Sequence, residues 1–289
     1  MRNYLAVLIL LLSSLPTFAS MEEALDAYKK GNYGAAIQEL NRLGEAGDVF
    51  AQIMLGALYN KGGAVVHDDK IAASWFEKAA NQENTEAQYQ LGYLYENSDL
   101  PKDYATAASW YHKAAQRGSA KAQFRLGVFY SGGLGVTKNM NESILWLGKA
   151  ALQENTDAQF MLGLMYYLGK TVPKNKELAK GWLTKAASQN HSDALLLLAG
   201  MYKKGEAGPK DPILAYSLSS LAVVNRIELK KEADEMRDDL ISELTPEQIV
   251  NGDKLAAELQ KPDNFSQALN TYIIKAHRAP FRFFERPDK

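Results

Sequence analysis

The residues able to do chemistry are few and scattered. Four histidines, His67, His112, His191 and His277, are spread along the chain, and there is no cysteine. That excludes disulfides, thiolate zinc sites and cysteine nucleophiles. There is no His-Glu-x-x-His zinc motif, no Gly-x-Ser-x-Gly elbow and no phosphate-binding P-loop. No serine is followed three residues later by lysine, so a serine–lysine acylation pair is lacking too. His67 stands beside Asp68 and Asp69, where a weak metal site competes with the simpler reading of a solvated loop. With no nucleophile–base pair to nominate, the chain is expected to be non-catalytic, with no metal and no cofactor. A net charge of −1 gives no general attraction to nucleic acid.

Positioning, in contrast, is written all along the chain. Ala51-Gln52, followed by Leu55-Gly56 and Tyr59, returns as Ala87-Gln88, Leu91-Gly92 and Tyr95. It returns again at Ala122-Gln123, Leu126-Gly127 and Tyr130, at Ala158-Gln159, Leu162-Gly163 and Tyr166, and in worn form at Ala194, Leu198-Ala199 and Tyr202. A second motif keeps the same beat: Trp75-Phe76-Glu77-Lys78-Ala79-Ala80, Trp110-Tyr111-His112-Lys113-Ala114-Ala115, Trp146-Leu147-Gly148-Lys149-Ala150-Ala151 and Trp182-Leu183-Thr184-Lys185-Ala186-Ala187. Two helices joined by a Gly-rich loop fill one period. Ala87, Leu91, Leu94 and Tyr95 have the spacing of one helical face. A glycine inside a helix costs roughly 1 kcal/mol against alanine, so its recurrence at 56, 92, 127 and 163 predicts a helix approaching closely there. Each Trp with the large residue after it predicts a wedge between repeats. His112 occupies the position of Glu77, Gly148 and Thr184, which this variety predicts to face solvent. The glycines of Gly132-Gly133-Leu134-Gly135 read as loop closers.

These runs resemble Sel1-like repeats, relatives of the tetratricopeptide repeats. The resemblance implies an all-α fold, a right-handed α-solenoid of helix-pair repeats with helical caps. Together with the patterns at the two ends, it divides the chain into a signal peptide (1–19), an N-terminal capping helix pair (20–47), about five repeats (48–225), capping helices (226–261) and a basic aromatic tail (262–289). Within the tail, residues 265–277 have the pattern of one more helix. Thr245-Pro246-Glu247-Gln248 is a helix start, with Thr as N-cap, Pro at N1 and Gln at N3. Some proteins with such repeats are linked to cell-wall chemistry or β-lactam binding. The missing Ser-x-x-Lys speaks against that here.

In helical solenoids the first helix of each repeat lines the concave face. Beside its core face runs a stripe whose residues diverge between repeats. It reads Phe50, Met54, Ala57; Glu86, Gln90, Tyr93; Lys121, Arg125, Val128; Asp157, Met161, Leu164; Asp193, Leu197, Gly200. Positions fixed by packing repeat, and positions free of it can carry specificity. Met54, Gln90, Tyr93, Arg125, Val128, Met161, Leu164 and Leu197 are therefore the expected partner-binding residues, with Arg125 anchoring a carboxylate of a peptide. Burial of the stripe by neighbouring helices or by the tail is the competing reading.

The first residues read as an export signal: Arg2, an apolar run over residues 4–12, the helix breaker Pro16, and small residues at Thr17 and Ala19 before a cleavage point. An uncleaved anchor is the alternative, although the run is shorter than the roughly 20 residues a membrane span needs. No later stretch is apolar enough to span a bilayer. At the other end, Arg278, Phe281, Arg282, Phe283 and Phe284 suit either docking onto a partner or an anionic surface, or folding back over the last helices or into the concave groove.

The sequence thus predicts an exported, periplasmic or secreted bacterial adaptor for a protein or peptide, in envelope, signalling or host-interaction roles, the range that the resemblance implies. The second reading is a cell-wall-associated binder or modifier of peptidoglycan or exopolysaccharide. Glycan sites favour clustered exposed Trp and Tyr with carboxylates, whereas all four Trp here sit in the repeating packing slot.

Overall fold

The computed structural model describes residues 17–97, 101–222 and 230–277. Among them are fifteen helices and no strand. The chain divides into two compact units, Met1–Asn139 and Met140–Lys289.

The described part of the first unit holds α1 (Thr17–Lys29), α2 (Tyr33–Glu45), α3 (Val49–Lys61), α4 (Asp69–Asn81), α5 (Thr85–Asn97), α6 (Tyr104–Gln116) and α7 (Ala120–Gly132). Each packs against the next in sequence. The turns explain why the helices stop and restart where they do. After α4 the Asn84 N–H donates to the Ala79 carbonyl, six residues closed by one bond, with Glu83 in the left-handed region at φ 65°. The Asn84 side chain then accepts from the Ala87 N–H and opens α5. The same turn follows α6, with Gly118 at φ 91° and Ser119 as N-cap.

The close approaches predicted from the helix glycines are present. A Cβ on Gly56 would lie 2.8 Å from the Phe76 ring, and one on Gly92 2.8 Å from the Tyr111 ring. The residue after each Trp is thus the deep wedge. The Trp reaches back to the preceding pair: Trp75 joins the cluster of Leu40, Leu43 and Leu55, and Trp110 packs against the cluster that holds Phe76, Ala79 and Ala80.

A buried glutamine in each of α3, α5 and α7 has a structural task the pattern did not explain. The Nε2 of Gln52 donates to the Gly44 carbonyl (2.8 Å), that of Gln88 to the Ala80 carbonyl (3.2 Å) and that of Gln123 to the Ala115 carbonyl (3.1 Å). Each satisfies a carbonyl at the end of the previous helix and pins one repeat to the next.

The second unit holds α8 (Met140–Leu152), α9 (Thr156–Leu168), α10 (Lys176–Ser188), α11 (Ser192–Lys204), α12 (Pro212–Ala222), α13 (Lys230–Glu243), α14 (Pro246–Leu259) and α15 (Phe265–His277). The same turn chemistry recurs at Glu154-Asn155 and Asn190-His191. Gly163 admits Leu183, which a Cβ would meet at 2.7 Å. Consecutive packing then ends. Helix α12 packs against both α13 and α14, and α15 returns to α10. Thr245 makes the predicted reciprocal capping box with Gln248.

One boundary drawn from sequence needs correction. Residues 265–277, assigned to the tail, belong to the core: Phe265, Leu269 and Ile273 are buried with Leu214, Leu218 and Leu259. Buried Asp211 holds the end of α15. Its carboxylate accepts from the Leu214 N–H (2.9 Å) and the Tyr272 hydroxyl (3.1 Å), and His277 Nε2 lies 2.8 Å away. The position shared by His112 is also not uniformly solvent-facing. Thr184 is buried, in the helix against which α15 packs, and His112 is half-buried.

Candidate interaction surface

The divergent stripe of the first unit remains accessible. Phe50 and Tyr93 are exposed, 56% and 43%, while Met54, Gln90, Arg125 and Val128 are half-buried. Their helical neighbours Ala51, Leu55, Ala87, Leu91, Ala122 and Leu126 are buried. The helix twist therefore turns one stripe inward and leaves the adjacent one reachable. Tyr93 stacks obliquely with Tyr89 at 6.5 Å, and Tyr89 with Tyr111 at 5.8 Å. The Lys121 ammonium lies 5.5 Å from the Tyr89 ring centroid, and Gln90 donates to Glu86 at 2.7 Å.

Arg125 is where the structure departs most from the sequence reading. Its guanidinium forms a two-point ion pair with Glu96, with the Nε bond at 3.0 Å. Glu96 is buried and also accepts from the Tyr111 hydroxyl at 2.6 Å. Burial pushes the Tyr111 hydroxyl above the ordinary tyrosine range. Arg125 is thus first a structural residue that neutralises a buried carboxylate. Its side chain is still 26% exposed, and a guanidinium has more N–H donors than this pair uses. Sequence reasoning missed Glu96 because it sits at the frayed edge of the motif, just before a loop that departs from the pattern of its siblings.

In the second unit Met161, Leu164 and Leu197 are half-buried, with Leu197 resting on the core. His191 caps α11, accepting from the Ala194 N–H at 3.2 Å, and stacks on Phe160 at 4.5 Å. His67 Nδ1 lies 2.7 Å from the Asn60 carbonyl oxygen, and its Nε2 3.5 Å from Asp69. Arg278, Phe281, Arg282, Phe283 and Phe284 lie outside the described residues.

The four Trp are each capped by the lysine three residues on: Lys78 lies 4.0 Å from the Trp75 centroid, Lys113 3.7 Å from Trp110, Lys149 4.0 Å from Trp146 and Lys185 5.0 Å from Trp182. This cation–π pairing accounts for the Trp-x-x-Lys of the motif.

Models of the Sel1 repeat match residues 49–84, 85–119, 120–155, 156–191 and 192–223. The chain belongs to the Sel1 repeat family. Its fold is the all-α Sel1 solenoid, typical of protein–protein interaction adaptors that are in general non-catalytic scaffolds. A solved Sel1 repeat protein from Oxalobacter formigenes is similar at 31% identity, over 71% of this chain and 82% of that one, with a TM-score of 0.64. The structure of c5321, described as a protective antigen present in uropathogenic Escherichia coli strains displaying an SLR fold, is similar at 24% identity. It covers 96% of this chain and 67% of that one, with a TM-score of 0.54, and shows the fold alone. No curated protein sequence matches. Among the described residues no helix is long and apolar enough to cross a membrane.

Proposed function

We propose that this Sel1 repeat protein is an exported, periplasmic or secreted, non-catalytic adaptor that holds a protein or peptide partner on the divergent stripe of its first helices. In the first unit the stripe offers Met54, Gln90, Tyr93, Arg125 and Val128. In the second it offers Met161, Leu164 and Leu197. The observation that carries this reading is the contrast along α3 and α5. The recurring Ala, Gln, Leu and Gly are buried, whereas the positions that differ between repeats stay accessible and include two exposed aromatic rings. Aromatic side chains held on rigid helices are efficient anchors for a peptide, because little conformational entropy is lost on binding. Export is supported by the run over residues 4–12 and the small residues at Thr17 and Ala19.

Capture from cell-envelope extract tests this, using the chain from Ser20 onward beside a Tyr93→Glu, Met161→Glu variant of equal helicity. The expected result is a protein partner retained by the first and lost by the second. Equal retention by both sinks the stripe. Arg125→Glu is unsuitable for this purpose, because it would set two carboxylates against each other at Glu96. Recovery of glycan in place of protein would favour the cell-wall reading, which the lysine-capped Trp faces disfavour.

A further inference from the structure

In the first and fourth repeats the C-cap residue of the second helix is a glutamine that bonds the buried glutamine of the same repeat. In the first repeat this residue is Gln82, whose Nε2 donates to Gln52 Oε1 (2.9 Å) and to the Gly47 carbonyl (3.1 Å). In the fourth it is Gln189, whose Nε2 donates to Gln159 Oε1 (2.9 Å) and to the Glu154 carbonyl (3.2 Å). The amide oxygen of Gln189 accepts from Thr156 at 2.8 Å. A primary carboxamide thus bridges a buried side chain and a turn carbonyl in both places.

The second repeat differs from these two. Its C-cap residue is Arg117, which pairs with Glu83 at 2.5 Å. Gln88 is 2% exposed, and its Oε1 has no hydrogen-bond partner among the described residues. A buried oxygen of this kind without a donor is costly, and native structures hold few of them. A cleft of about 440 Å³ opens at this point, lined by Ala80, Glu83, Gln88, Lys113 and Arg117 among others.

We propose that this cleft is a second binding site, and that it takes the primary carboxamide of a glutamine or asparagine side chain on a partner polypeptide. Gln88 Oε1 itself has almost no surface open to solvent, so the incoming amide enters as the side chains over it turn aside, and then repeats what Gln82 and Gln189 do, donating to Gln88 Oε1 and to the Glu83 carbonyl. Lys113 and Arg117, against the single carboxylate of Glu83, favour an acidic residue beside the amide. A carboxylate in place of the amide brings no donor to Gln88 Oε1, so glutamate is discriminated against. The site is independent of the first-helix stripe and uses none of its residues.

The test uses two N-acetylated tripeptides, Asp-Gln-Asp and Asp-Glu-Asp, titrated onto the full chain and followed through the side-chain amide resonance of Gln88. The glutamine probe should bind at least about tenfold more tightly than the glutamate probe, as one buried hydrogen bond requires. Arg117→Gln should supply the missing amide from within the chain. It should raise Tm by about 2 °C and abolish binding of the glutamine probe. Arg117→Ala, which removes the guanidinium without supplying an amide, should keep the preference for glutamine. Equal binding of the two probes overturns the proposal, as does undiminished binding of the glutamine probe to Arg117→Gln.

Discussion

The two units use the same helix pair to different ends. In the first unit the buried residues form small groups that follow the repeat: Leu40, Leu43, Leu55 and Trp75 in one, Phe76, Ala79, Leu91 and Leu94 in the next. In the second unit one cluster runs from Ala179 to Ile273 and draws on six helices. The first is a ladder in which each rung touches its neighbours. The second closes on itself, because α13, α14 and α15 fold back over the last pair. Stability in a ladder is a sum of local terms, whereas a closed core gains and loses them together.

The largest expected effect is at the closure. Leu269→Ala should cost roughly 3 kcal/mol, since it opens a cavity beneath α15. Hydrogen exchange should accelerate over α10 to α15 together; a loss confined to α15 would show that the second unit is a ladder as well. Next is Gly92→Leu, which forces a side chain into the Tyr111 ring and should cost roughly 2–3 kcal/mol. Exchange should rise in α5 and α6 and their neighbours, with α1 keeping its protection. Uniform loss across the first unit would break the comparison from the other side.

The smallest effect is electrostatic. Burial raises the Tyr111 hydroxyl in the first unit and the Tyr202 and Tyr272 hydroxyls in the second. It also lifts Tyr89 in the first, and Tyr167 and Tyr216 in the second. A folded pKa above the unfolded value of about 10 leaves stability intact below that pH and removes it as pH rises further. With more such groups, the second unit should lose protection faster as pH rises above about 10, where free tyrosine ionises. Equal loss in both units would mean that the buried hydroxyls are not the groups in control.

Much of the fold was legible because packing constraints repeat. Gly56, Gly92 and Gly163 recur where a ring or leucine must enter, and no other residue fits. Asn84, Ser119 and Asn155 recur where a helix needs its first N–H groups satisfied. The stripe was legible as the complement, the positions that do not recur. The tasks of Gln52 and Gln88, the ion pair of Glu96 with Arg125 and the anchoring of α15 by Asp211 were not. Each joins residues from different helices, and their types alone do not say which partner will arrive.

The sequence by itself determined the helices, their turns and their pairing, since propensity, caps and apolar spacing act over a few residues. Tertiary structure alone decided which charged and polar groups are neutralised and which are left to meet a partner. Arg125 became a structural ion pair and Gln88 an acceptor without a donor among the described residues, because burial makes the cost of an uncompensated polar group depend on what lies across the interface between helices.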